Sequence, residues 1–349
     1  MMNRIYKKSN LKYGLICLGS SLAILVAGCS SDDIALDPTH ATYSYEQVKD
    51  QPITLPANYN KNNFRKLLLG VAVNDIGVKA GEISPNVVQT LSARLQTEMA
   101  KLKRFSVFSA HNRGGVVLFQ SLADVGEAKV PDKNPREMDL ILSASITVSK
   151  EKTERKYDDL LIYEVECDFN CEDIRTGEVK FAEKATGRTA RAVKFGLGGR
   201  RVGGYSEEDE KQAIYNAAMK AIAVAANKLG NYYPVGGQIT GMLSTRMTLD
   251  KGFEHGVGKD MVMTVYASVS GVDVPVARAV ASPSDLTSSL KIMQWNDDDE
   301  DAEPIIEEIR EDRNWLKNNK LYAVGIGMAT PPEWENQYKD SFDESMRAR

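Results

Sequence analysis

Tyr163-Glu164-Val165-Glu166-Cys167-Asp168-Phe169-Asn170-Cys171 alternates apolar and polar side chains. It then runs through Glu172 into Asp173-Ile174-Arg175-Thr176-Gly177-Glu178-Val179. Strict alternation is the signature of a strand with one buried face, because successive side chains point to opposite sides of a sheet. Arg175-Thr176-Gly177-Glu178 reads as a tight turn, and Val179 to Thr186 as the antiparallel return strand. Cys167 and Cys171 fall on the same apolar face. Four residues along a strand separate Cα atoms by roughly 13 Å, whereas a disulfide needs less than about 7 Å. The pattern predicts two core thiols; a disulfide would require a bulge between them.

Outward from that hairpin, Asp139 to Thr147 reads as the preceding strand, and Lys66 to Val73 as a buried strand. Asn74 to Ser84 is a glycine-punctuated loop. Ser84 then serves as N-cap and Pro85 as first residue of a helix carrying Val88, Leu91, Leu95, Met99 and Leu102 on one face. A short strand at Phe105 to Ser109 and a helix-like stretch near Val117 to Leu122 follow. Glu207 to Leu229 is a long alanine-rich helix, with Ser206 as N-cap and Gly230 as C′ residue. Two helices on one face of a mixed sheet make an α+β fold.

Composition changes at Asn231-Tyr232-Tyr233-Pro234. Strand-like runs then recur at Gln238 to Thr248, Met261 to Ser270, Val274 to Val280, Ser289 to Trp295 and Tyr322 to Met328. Short strands separated by turn residues predict a small β-barrel or β-sandwich. The acidic run Asp297 to Asp301 is a solvated loop before a short helix, Pro304 to Leu316, whose N-terminus suits negative charge.

The N-terminus has a basic region (Arg4, Lys7, Lys8, Lys12) and a short apolar run, Leu15 to Val26. It closes in Val26-Ala27-Gly28-Cys29. This is the pattern of a cleaved export signal, and the apolar run is short for a bilayer span. Small residues followed by cysteine resemble the lipobox of bacterial lipoproteins. The resemblance implies cleavage between Gly28 and Cys29, acylation of Cys29 with palmitate-type chains, and, with Ser30 next, placement on the inner face of the outer membrane. The expected organisation is a signal at 1–28, a lipidated tether at 29–60, an α+β domain at 61–232, a β-rich domain at 233–330 and a tail at 331–349.

Strand Lys66–Val73, the Phe105–Phe108 strand leading to Arg113, strand Asp139–Thr147 and the Asp173–Val179 hairpin precede the alanine-rich helix. Together this order resembles the periplasmic domain of the CsgG family, outer-membrane lipoproteins of curli export whose fold is related to the N-terminal domain of TolB. The likeness covers about residues 64 to 230. It implies a subunit of an envelope ring that could carry a pore made of two amphipathic hairpins. Ser149 to Asp159 and Lys184 to Arg201 occupy those hairpin positions. The first is charged on both faces, and the second holds Arg188, Arg191, Lys194, Arg200 and Arg201. Neither offers the roughly 9–11 alternating residues that a lipid-facing strand needs. The scaffold is therefore expected without its pore.

Formal net charge is −4, so no basic face points to nucleic acid. His40, His111 and His255 share no metal-ligand spacing, and no G-x-S-x-G elbow occurs. Gly196-Leu197-Gly198-Gly199-Arg200-Arg201 lacks the ending of a phosphate loop. Gly198, Gly199, Arg200 and Arg201 read as a flexible basic loop or, functionally, as an interface, since glycine permits close backbone approach and arginine suits contacts. No catalysis, cofactor or metal is expected. The expected role is a structural or binding component of an envelope assembly, with partners among envelope proteins or copies of itself. A secretion channel and an activator of a peptidoglycan synthase are the alternatives. Cys29→Ser should abolish acylation and release the mature protein from the outer-membrane fraction; continued co-sedimentation at high salt would show another attachment.

Overall fold

The computed structural model describes residues 43–109, 138–155, 158–194, 206–312, 314–329, 331 and 333–334. Cys29, Gly28, Arg113, the stretch near Val117 to Leu122 and the Gly198–Arg201 loop lie outside these residues.

Five strands form a mixed sheet in the order β2-β1-β3-β4-β5. They are β1 (Leu67–Ala80), β2 (Phe105–Ser109), β3 (Leu140–Glu154), β4 (Asp158–Asp173) and β5 (Glu178–Lys194). β1 is parallel to both β2 and β3, while β3, β4 and β5 form an antiparallel meander. The alternation in the sequence appears directly as burial: Leu140, Leu142, Ala144, Ile146 and Val148 of β3 face the core with Tyr163, Val165, Cys167, Phe169 and Cys171 of β4. Helices α2 (Pro85–Lys101) and α3 (Glu207–Tyr232) pack into the same core. Alanines 213, 217, 221 and 225 keep the near side of α3 thin. Gly187 of β5 completes the approach, because a Cβ there would collide with the Ala217 carbonyl.

The second half closes into a six-stranded antiparallel barrel, β10-β7-β6-β11-β8-β9. Its strands are β6 (Gly236–Leu243), β7 (Arg246–Leu249), β8 (Val262–Val269), β9 (Val272–Pro283), β10 (Ser288–Trp295) and β11 (Leu321–Gly325). Of the barrel and sandwich expected, the barrel forms, and closure leaves it no open edge. Its interior is filled by Met247, Leu249, Met263, Val265, Ala277, Ala279, Leu290 and Ala323. Helix α4 (Glu303–Glu311) packs Ile306 and Ile309 into this core, and the short α5 (Trp315–Asn318) adds Trp315.

Several sequence expectations are corrected. β1 does not stop at Val73: it pairs with β3 through Ala80, past bulges at Val73/Asp75 and Val78/Ala80 in its second half. Gln238 to Thr248 is two strands, hinged at Ser244 with a positive φ of 55°. Gly230 is not a helix terminator. It lies inside α3, where a side chain would strike Met328. Ser84 starts α2 but its hydroxyl donates to Glu207 at 2.8 Å, tying the two helix starts together. Cys167 and Cys171 are free and buried, and burial pushes both thiols up to about 12.

Two segments read as loose ends are docked. From Tyr43 the expected tether lies across the barrel as a strap that includes α1 (Tyr45–Val48), with Val48 and Ile53 buried. Buried Arg278 of β9 donates to the Val48, Gln51 and Pro52 carbonyls, and Thr264 Oγ1 to the Thr54 carbonyl at 3.0 Å. Further along, Tyr59 donates to Asp273 at 2.8 Å. Lys61 pairs with Asp273 while lying 5.5 and 4.8 Å from the Tyr266 and Tyr322 rings. At the other end Trp334, expected in a free tail, is fully buried, and its indole donates to Glu98 at 2.7 Å. Glu98 has no exposure and is held by Arg94 and Lys101 as well. A carboxylate this deep is tolerable only when several donors surround it.

Arg278→Met should weaken strap docking by about 1–3 kcal/mol, since three carbonyls lose their donor, and so speed proteolysis between Tyr43 and Asn60 about tenfold or more. Limited digestion followed by mass analysis reads this; an unchanged cleavage rate would mean the guanidinium does not hold the strap.

Candidate binding cleft

Strap, sheet and barrel meet around one side chain. Arg104, just before β2, is 2 % exposed and makes no ion pair with a carboxylate among the described residues. It donates instead to the carbonyls of Arg65 at 2.8 Å, Tyr233 at 3.1 Å and Pro234 at 3.5 Å, and to that of Asn63. The barrel's one-turn helix Phe253–His255 ends at Gly256, which has φ +91° and lies against the Arg104 backbone where a Cβ would not fit. Burial, with Arg65 nearby, lowers the Arg104 pKa to about 10, so the guanidinium stays charged at neutral pH. Beside it, Asp139 accepts from Arg65 and from the Leu68 amide at 2.9 Å. Burial pushes the Asp139 carboxyl up; the hydrogen bonds from Arg65 and Leu68 outweigh that, and the net shift is downward.

These contacts fix the walls of a cleft of about 380 Å³. One wall is the β4–β5 turn, with Asp173, Arg175, Thr176, Glu178 and Lys180. The other is the strap, with Asn58, Tyr59, Asn60 and Asn63, and Tyr232 and Tyr233 at the end of α3 complete it. The turn is built by its sequence: Gly177 takes φ +69°, Asp173 Oδ1 accepts from the Arg175 amide at 3.1 Å, and Thr176 Oγ1 accepts from Glu178 at 3.3 Å. Charges within it are already matched, Arg175 against Asp173 at 3.4 Å and Lys180 against Glu178. Tyr233 is 3 % exposed, and its hydroxyl has no hydrogen-bond partner among the described residues. Burial raises its pKa, with Cys171 and Asp173 adding to the effect, so it stays a neutral donor. The volume falls within the range of small-molecule sites, and the polar lining suits binding through hydrogen bonds.

The sequence drew attention to the turn but not to the cleft. Asn58, Asn60 and Asn63 sat in or beside the expected tether, and Tyr232-Tyr233 marked a boundary. A tyrosine pair at the end of a helix, followed by Pro234, was the available signal. His255 accepts a hydrogen bond from the Gly252 amide at 3.3 Å within its own turn. No group of three or more His, Cys, Asp or Glu that could hold a metal occurs among the described residues, and no helix among them is long and apolar enough to cross a membrane.

No family model matches the chain, and no curated protein does. Among solved structures it is similar to lipoprotein GNA1162 from Neisseria meningitidis, at 18 % identity over 35 % of this chain and 83 % of that one, with a TM-score of 0.21. It is similar also to the hypothetical protein CT253 from Chlamydia trachomatis, at 13 % identity over 47 % and 97 %, TM-score 0.29. A third is the PelC dodecamer from Paraburkholderia phytofirmans, at 11 % identity over 45 % and 88 %, TM-score 0.24. At these identities and scores the likeness assigns neither a family nor an activity.

The Asp139 carboxyl gives the junction a pH dependence. Its folded pKa is depressed, so its stabilisation is fully present above the unfolded value of about 3.9 and is lost as pH falls through the folded value. Asp139→Asn should therefore cost about 1–3 kcal/mol at neutral pH and flatten the loss of thermal stability below about pH 4. Melting curves across pH test this; an acid limb as steep as that of the unaltered protein would assign the effect elsewhere.

Proposed function

We propose that this chain is an outer-membrane lipoprotein, anchored through Cys29 and facing the periplasm. It acts as a structural or binding component of an envelope assembly, a surface-appendage export apparatus or a flagellar ring-like complex. In this reading it is not an enzyme and has no pore of its own. The observation that carries the reading is the fate of the hairpin at Ser149 to Asp159. There β3 and β4 continue in unbroken register from Leu140↔Asp173 to Glu154↔Asp159, as part of the same sheet. Lys152 bridges Glu154 and Asp159, and Lys150 reaches Glu210 on α3. A hairpin knitted by charges into a helix-covered sheet has no apolar band to offer to lipid.

Two further features support an assembly role. β5 is an edge strand 17 residues long that pairs with β4 alone among the described residues, and an unpaired edge is a template for another chain. The strap is first buried against the barrel at Val48, so residues 30–47 link it to the anchor; at full extension that span reaches about 60 Å, which keeps the body within reach of the membrane. The alternatives, a secretion channel and a synthase activator, share the anchor and the scaffold.

Residues 30–349 should stay dispersed in plain buffer as monomers or soluble rings and give no conductance in planar bilayers. Exchanging Arg200 and Arg201 for Glu should weaken any ring or partner contact while the circular dichroism spectrum stays the same. Charged lipid-facing residues cost about 2–4 kcal/mol each at the midplane. Stable single-channel steps, or a requirement for detergent, would overturn the pore-free reading and favour the channel.

A further inference from the structure

We infer that His255 makes the seam between sheet and barrel sensitive to mild acid: its neutral imidazole holds the barrel's Gly252–Gly256 turn in shape against the sheet, and its protonation loosens that turn. The switch is independent of the role proposed for the chain in the envelope.

The position of the turn gives His255 its leverage. Residues just before β1 and just before β2 are fastened to it. Lys66 Nζ donates to the Glu254 carbonyl at 3.1 Å, and Lys103 pairs with the Glu254 carboxylate at 3.2 Å while lying 5.9 Å from the Phe253 ring. Gly256 lies against the Arg104 backbone. From the barrel side, the Phe253 and Glu254 amides donate to the Ser284 and Asp285 carbonyls at 2.8 and 2.9 Å, and Ser288 Oγ donates to the Lys251 carbonyl at 2.7 Å. The turn is therefore gripped from both halves of the molecule, and a change in its shape is felt by both.

Its shape rests on one hydrogen bond that a proton abolishes. The buried Gly252 amide donates to His255 Nδ1 at 3.3 Å, and the His255 and Val257 amides return to the Gly252 carbonyl at 2.9 and 3.2 Å. A ring nitrogen that accepts a hydrogen bond carries no proton. Protonation turns Nδ1 into a donor facing a donor and leaves the Gly252 amide without its acceptor.

The charges around the ring oppose that proton. Lys66, Lys103, Arg104 and Asp285 lie on the segments packed against the turn, and Asp250, Lys251 and Glu254 lie beside His255 in the chain. The nearest carboxylates are engaged elsewhere, Glu254 by Lys103 and Asp250 by Lys251 and the Gln238 amide. Burial, and then Lys251 and Lys66, lower the His255 pKa from 6.5, and Asp250 and Glu254 do not reverse the direction. With the folded pKa depressed, the stabilisation is complete above the unfolded value of about 6.5 and is lost as pH falls from there through the folded value. That window lies above the one set by Asp139, so the two effects separate.

The test is amide exchange of the full-length chain in detergent, read by mass spectrometry in peptides spanning 250–257. Proteins are compared at the same pH, so that intrinsic exchange cancels. His255→Ala removes the acceptor at every pH; His255→Asn offers a carbonyl near the Nδ1 position and does not titrate. His255→Ala should exchange about tenfold faster than the unaltered protein at about pH 8, the worth of one lost hydrogen bond, and this ratio should fall toward one at about pH 5. The ratio of His255→Ala to His255→Asn should be the same at both pH values, since neither side chain takes up a proton. A proton NMR titration, with His255→Asn identifying the resonance, should give a His255 midpoint below 6.5. The inference is overturned by a ratio of His255→Ala to unaltered protein that does not change with pH. An equal fall in the ratio to His255→Asn, or a His255 midpoint at or above the ordinary value, would overturn it as well.

Discussion

One buried cation, Arg104, organises the centre of the molecule. A guanidinium out of water must have its N–H groups satisfied, and among the described residues no carboxylate does that. Backbone carbonyls from the end of the strap and from the link between α3 and the barrel accept instead. Because those carbonyls belong to segments far apart in sequence, satisfying one side chain fixes the relative position of strap, sheet and barrel. Arg278 repeats the device on the barrel wall, where it collects the carbonyls of the strap. Irregular segments have no ladder to pair their backbone groups. Two buried arginines supply donors where a strand would otherwise be needed.

This constraint explains why the cleft exists. A turn on β4–β5 and a strap leading from the N-terminus would ordinarily be independent and mobile. Pinned on both flanks, by Arg104 at Asn63 and by Asp273 at Tyr59 and Lys61, the strap becomes a wall of fixed geometry. Tyr233 is held opposite by the same guanidinium. Preorganisation of this kind lowers the ordering cost of whatever the cleft binds.

The hairpin at Ser149 to Asp159 shows how charged side chains can extend a sheet and fasten a helix to it. Extension of β3 and β4 needs only backbone pairing, which charged side chains do not disturb. Insertion into lipid needs an apolar face, and on the proposed reading these charges leave none. Lys150 spans from the sheet to Glu210, where Tyr163 also donates at 3.1 Å, so a charge of this hairpin fastens α3.

The local elements were legible in the residues alone. Alternation in 163–171 set which face of β4 is buried and left both cysteines as core thiols, because side-chain period is a local property of a strand. The helical spacing of Val88, Leu91, Leu95 and Met99 and the alanines of α3 did the same for the helices. Short strands with turn residues between them announced a β-rich second half. Tertiary structure alone decided that this half closes into a barrel, since closure depends on β10 meeting both β7 and β9. It alone decided that β1 runs on past Val73, because bulges are settled by the partner strand. The strap and Trp334 were illegible for a related reason: neither has periodicity, and each is held by partners more than 200 positions away, Arg278 for the Val48 carbonyl and Glu98 for the Trp334 indole. The cleft was hidden in the same way, its residues drawn from a supposed tether, a turn and a helix end that only the fold brings together.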